Sequence, residues 1–106
     1  MNRLTAFLIL MMASKMLHAA CNIPQSFWDW PRSGDAVLSL KEIRPCIDSY
    51  LSDPKSKLVI HHGAGDEDTL HSGELRAWLM ALAIDPSRIA DASDMPRGLS
   101  IETTDH

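Results

Sequence analysis

The chain has 106 residues, 45% of them hydrophobic, and its 14 acids outnumber its 10 lysines and arginines to give a net charge of −4. That length suits one small domain. The acidic balance argues against a nucleic-acid partner and against adhesion to anionic lipid, since both need a basic surface.

Residues 1–20 carry the first signal. Arg3 supplies a basic start, Leu4 to Ser14 form an uncharged, mostly apolar run, and His18, Ala19 and Ala20 lead to Cys21. Charge, short apolar core and small exit residues in that order predict a secretory signal peptide, with a buried N-terminal helix as the competing reading. Lys15 stops the run well short of the roughly 20 apolar residues of a membrane span. Cleavage after Ala20 takes 20 of the 106 residues, with Arg3 and Lys15, and leaves 86 residues of net charge −6. No later stretch is long enough to span a bilayer. The expected location is the periplasm, with association to the outer membrane as a variant.

Cys21 and Cys46 are the two cysteines. In an oxidising compartment the default is a disulfide, which would tie the N-terminal arm to the first helix. Lipidation of Cys21 as the first mature residue is the alternative, although His18 and Leu17 fit a lipoprotein cleavage site poorly.

The arm, 21–36, holds Phe27, Trp28 and Trp30 before Pro31, Ser33 and Gly34, and its alternation predicts a short strand ahead of the Pro31 turn. A domain is expected over 37–106. Ser39 and Glu42 have capping-box spacing, and Leu40, Ile43, Ile47, Tyr50 and Leu51 recur at helical intervals. Pro45 should bend this helix or delay its true beginning, and Ser52-Asp53-Pro54 ends it. Leu58-Val59-Ile60 within Lys57 to His61 reads as a central strand. Gly63 to Asp68 reads as a polar loop. Leu75, Trp78, Leu79 and Leu82 make the stripe of a second helix, expected over about 70–83. Asp85-Pro86 turns the chain, 88–90 reads as a short strand, and 99–102 alternates as a last one. The predicted order is β-α-β-α-β-β, an α+β fold with two helices on one face of a small mixed sheet.

From Val37 to Glu102 this order, with its punctuation, resembles the OmpA-like domain, a peptidoglycan-associating module of bacterial envelopes. The corresponding stretches are Asp53-Pro54, Val59-Ile60-His61-His62-Gly63-Ala64, Glu74-Leu75-Arg76-Ala77, Ala83-Ile84-Asp85-Pro86-Ser87-Arg88-Ile89 and Arg97-Gly98-Leu99-Ser100-Ile101. The resemblance implies a non-enzymatic module that grips the diaminopimelate of a stem peptide, an anion holding its ammonium and a guanidinium its carboxylate. Arg76 matches the family's arginine. Ala64 stands at the family's acid position, so Asp66 and Asp68 are the expected replacements, with His62 beside them. The alternative is the same fold without the ligand, acting as a protein-interaction part of an envelope or secretion assembly.

Other chemistry is weaker. His61, His62 and His71 with Asp66, Glu67 and Asp68 invite a metal reading through His62 and His71, but adjacent residues in a strand face opposite ways and no pair has helical ligand spacing. No metal site or cofactor is therefore expected. No serine sits in a nucleophile elbow and neither cysteine in a nucleophile motif, so an enzyme is not expected. Ser72 reads as a helix cap, Trp28, Trp30 and Phe27 as packing over one sheet edge, Trp78 as buried, and Asp91, Asp94 and Glu102 as solvated charge.

Overall fold

The computed structural model describes residues 19–105; positions 1–18 of the expected signal segment lie outside them. Strand β1 is Ala19–Ile23, helix α1 Gly34–Leu38, helix α2 Arg44–Ser52, strand β2 Lys57–Gly63, helix α3 Asp66–Ala81, strand β3 Ile89–Met95 and strand β4 Leu99–Thr104. Single 3-10 turns occupy Gln25–Asp29 and Pro86–Arg88. The sheet order is β1-β4-β2-β3. β4 pairs antiparallel with β1 and β2, and β3 runs parallel to β2 after the α3 crossover. The described residues thus form an α+β fold, three helices against a four-stranded mixed sheet.

Period-two burial explains the layering. Leu58, Ile60 and His62 of β2 and Leu99, Ile101 and Thr103 of β4 are buried against the helices, whereas His61, Ser100 and Glu102 lie half-buried on the other face. Val37, Cys46, Tyr50, Leu75 and Leu79 meet these strands from the helix side. The unbroken apolar run in β2 fits its place between β4 and β3.

Several expectations need correction. The first strand is Ala19–Ile23, not the aromatic segment, which forms the 3-10 turn instead. Cys21 and Ile23 are buried, so the arm supplies a strand of the domain's own sheet. Ser39 closes α1 rather than opening a longer helix. Pro45 does delay the helix, as one of the two expected outcomes: it sits in the first turn of α2, where its missing N–H costs nothing, and the helix begins at Arg44. α3 begins at Asp66, four residues before the expected start, and the loop shrinks to Ala64-Gly65. Ser72 is therefore a buried mid-helix residue and caps nothing. Trp30 is 72% exposed and Trp78 only partly buried.

The end of α3 carries backbone strain. Ile84 N–H donates to the Leu79 carbonyl and Ala83 N–H to Met80, the two bonds of a Schellman cap, with Ala83 at φ 73°. This left-handed position favours glycine by about 1–2 kcal/mol, partly offset by glycine's freer unfolded chain. Ala83→Gly is expected to stabilise the fold by about 0.5–1 kcal/mol, read as a Tm several degrees higher.

Candidate functional site

An open cleft of about 700 Å³ lies where β1 ends, α3 begins and β3 turns into β4. Ile23 and Gln25 form one wall, Asp66, Glu67 and Asp68 the second, and Arg97 and Gly98 the third. The local chain makes this convergence possible. Gly98 takes φ +84°, which turns β3 back into β4. Its N–H donates to Asp68 Oδ2 at 2.9 Å and its carbonyl accepts from Gly63 N–H at 3.1 Å. Gly63 is buried beneath this junction, and a Cβ there would lie 2.8 Å from Arg97 Cα and against Asp68 Oδ2. Only a residue without a side chain lets loop and turn close this tightly.

The three acids occupy the first turn of α3, where the helix dipole favours them, and Gly65 provides no side-chain cap. Asp68 is committed to the turn. Asp66, Glu67 and Arg97 are exposed, and among the described residues no hydrogen bond or ion pair ties down any of these three side chains. Two acids and a guanidinium thus face one cleft without neutralising one another, an arrangement able to take a ligand carrying both signs.

Arg76 is elsewhere. It lies eight residues beyond Asp68, about 12 Å along the helix axis. Its guanidinium donates to the carbonyls of Ile89 at 3.0 Å and Pro86 at 3.3 Å, tying α3 to the start of β3. Ile89 pairs with Leu58 at the opposite end of β2 from Gly63. The structure brings Asp66 and Asp68 together but joins them to Arg97, not to Arg76. Ala64, at the resembled family's acid position, is exposed just before the cleft.

His62 does not open onto the cleft. It is 3% exposed, with Nδ1 2.6 Å from the Gly63 carbonyl and Nε2 3.1 Å from Asp91 Oδ2. Ser72 donates to the other Asp91 oxygen at 2.7 Å. His61, on the opposite face, lies between Asp94, 2.9 Å from Nδ1, and Glu102, 2.9 Å from Nε2. Asp91, Asp94 and Glu102 are therefore partners of the histidines, not merely solvated charges. Burial opposes charge on both rings most strongly. For His61 the hydrogen bonds to Glu102 and Asp94 outweigh it; for His62 the Gly63 carbonyl and Asp91 do, and both pKa values end above the ordinary histidine value.

A third cluster holds the aromatic segment against α3. Trp28 stacks flat on His71, ring centroids 4.1 Å apart and planes 2° from parallel, and Arg32 lies 5.3 Å from the Trp28 ring. Arg32 forks onto Glu74, with Nη2 2.8 Å from Oε1, and the Trp78 indole N–H donates to the same carboxylate at 3.1 Å. The Arg32 bond holds the Glu74 carboxyl below its usual range despite partial burial. His71 Nδ1 is buried without a hydrogen-bond partner. His62 and His71 are thus engaged separately, and among the described residues no group of three or more His, Cys, Asp or Glu is placed to hold a metal ion.

Between α1, α2 and the end of α3 lies an apolar cleft of about 420 Å³, lined by Val37, Ile43, Ile47, Tyr50, Leu82 and Ile84, with exposed Leu38 and Leu51 beside it. Cys21 and Cys46 form a disulfide, as expected for an oxidising compartment. Among the described residues no helix is long and apolar enough to cross a membrane.

Fold and bridge define a small disulfide-bonded α+β domain. No protein-family model, curated protein or solved structure matches the chain.

Proposed function

We propose that this is an exported, non-enzymatic cell-envelope module of OmpA-like type, which binds the zwitterionic diaminopimelate end of a peptidoglycan stem peptide in the cleft between Asp66-Glu67 and Arg97. The observation that carries this reading is the unpaired guanidinium facing unpaired carboxylates across an open, polar cleft. Arg97 takes the ligand carboxylate as a fork, and Asp66 or Glu67 takes the ammonium. The observed β-α-α-β-α-β-β order departs from the expected β-α-β-α-β-β by the short helix α1 and otherwise keeps the succession on which the resemblance rests. The Cys21–Cys46 bridge supports an oxidising, extracytoplasmic setting such as the periplasm.

Co-sedimentation with purified peptidoglycan tests it. Arg97→Ala removes a charge-assisted contact of about 1.5–3 kcal/mol and is expected to weaken binding by about tenfold or more. Arg76→Ala is expected to lower Tm but keep binding, because that guanidinium serves two backbone carbonyls. Free diaminopimelate is expected to compete. Full binding by Arg97→Ala would sink the assignment.

The apolar cleft favours a second reading, in which the fold docks a protein of an envelope or secretion assembly instead. A domain that ignores peptidoglycan but crosslinks to a partner, and loses that partner on Leu51→Asp, would favour it.

A further inference from the structure

Every ring nitrogen of the neighbouring pair His61 and His62 faces an oxygen that can only accept. On the open face of the sheet, Nδ1 of His61 lies 2.9 Å from both oxygens of Asp94 and Nε2 lies 2.9 Å from Glu102. On the helix face, Nδ1 of His62 lies 2.6 Å from the Gly63 carbonyl and Nε2 lies 3.1 Å from Asp91. A neutral imidazole carries one N–H and one lone pair, so it can satisfy only one of its two acceptors. The other nitrogen then sets lone pair against lone pair. Only the imidazolium satisfies both.

The four partners are not scattered. Asp91 and Asp94 both belong to β3, three residues apart, so strand alternation sends them to opposite faces, as it does the adjacent histidines. Among the described residues β3 is an edge strand, joined to the sheet through β2 alone. Its sequence Ile-Ala-Asp-Ala-Ser-Asp-Met has few residues of strand preference. The β2–β3 register also shifts between His61 and Gly63, which weakens the ladder where the histidines sit. Ser72 of α3 completes the inner clasp through Asp91.

We infer that His61 and His62 are paired protonation-dependent pins, one on each face of the sheet, that hold edge strand β3 in place and release it, with the Pro96–Gly98 turn, as pH rises. The charged groups facing them support the sense of the change. His61 meets Asp94 from β3 and Glu102 from β4, while His62 meets Asp91 from β3 and Asp68 from α3. All are acids. A folded-state pKa raised above the unfolded one makes the stabilisation complete below about 6.5. It is lost as pH climbs through the raised folded value. No ligand is needed, so this behaviour is separable from stem-peptide binding.

The test uses the oxidised protein without ligand. Ring-carbon chemical shifts of His61 and His62 are followed by NMR from pH 5 to 9. Amide exchange is measured in parallel and expressed as protection, which removes the intrinsic pH dependence. Both rings are expected to titrate above 6.5. Protection at Ala90, Asp91 and Ala92 of β3 is expected to fall on the order of tenfold relative to Ile101 of β4 over that range. The double variant Asp94→Asn, Glu102→Gln changes only outer-face carboxylates and should survive folding. It is expected to return His61 toward its ordinary value and blunt the β3 response, leaving the His62 share. Titration of both rings at or below 6.5, β3 protection that tracks Ile101 at every pH, or a double variant identical to the parent would each overturn the assignment.

Discussion

Loss of the Cys21–Cys46 bridge is expected to lower stability by about 3 kcal/mol, the size that closing a loop of this length predicts. The cysteines stand 25 residues apart in sequence with Cα atoms 6.2 Å apart, and both are buried. One sits in β1, which pairs along a single edge with β4, and the other in α2, so the bridge joins the edge strand to the helix layer through the core. A domain of this size has about 5–10 kcal/mol to lose, and each kcal/mol moves its Tm by about 4–8 °C. Cys21→Ala with Cys46→Ala should therefore lower Tm by about 12–24 °C in a circular-dichroism melt, with reductant giving a similar drop in the parent. Amide protection at Asn22 and Ile23 should fall first. A loss under about 1 kcal/mol would mean that packing of β1, and not the crosslink, holds that edge.

The second large effect is Gly63→Ala. The added methyl would meet the Arg97 backbone at 2.8 Å and press on the Asp68 carboxylate, so the β3–β4 turn must shift. Overpacking of this kind costs about 1–3 kcal/mol. The Gly98 N–H to Asp68 bond and the Gly63 N–H to Gly98 carbonyl bond would both be stretched. Because the turn carries Arg97, peptidoglycan binding should fall further than the stability loss alone would cause. Differential scanning calorimetry and co-sedimentation on the same preparation separate the two. Unchanged Tm together with unchanged binding would show that the turn relaxes freely and that the close approach at Gly63 does not shape the cleft.

Much of the fold could be read along the chain because it rests on local chemistry. Leu58-Val59-Ile60 announces a strand inside the sheet with a neighbour on each edge, Leu75 and Leu79 mark the buried stripe of α3, Pro45 marks the start of α2, and Asp53-Pro54 follows its end. The disulfide is expected from two cysteines in a chain read as exported, and the structure has it. For the helices and strands, neighbours within about two helical turns carry the information.

What the chain order could not convey is where the two ends of each element lie. Starting α3 at Asp66 instead of Leu70 puts the acids on the same helix as Arg76, where a rise of about 1.5 Å per residue carries that arginine away from them. Arg76 resembles a ligand residue in one dimension and serves as a backbone tie in three. Arg97, 29 residues beyond Asp68, enters the cleft only because β3 and β4 meet in a turn beside the end of β2. β1 was hidden because Ala19-Ala20-Cys21 has the small residues of a signal exit and too few β-formers to declare a strand; its pairing with Thr103 to Leu99 supplies the order. The acids of β3 look solvated for the same reason. The α+β class and the disulfide were legible in composition and periodicity, whereas the cleft and the contacts of His61 and His62 arise from pairing between segments far apart in the chain, which side-chain alternation within one strand does not name.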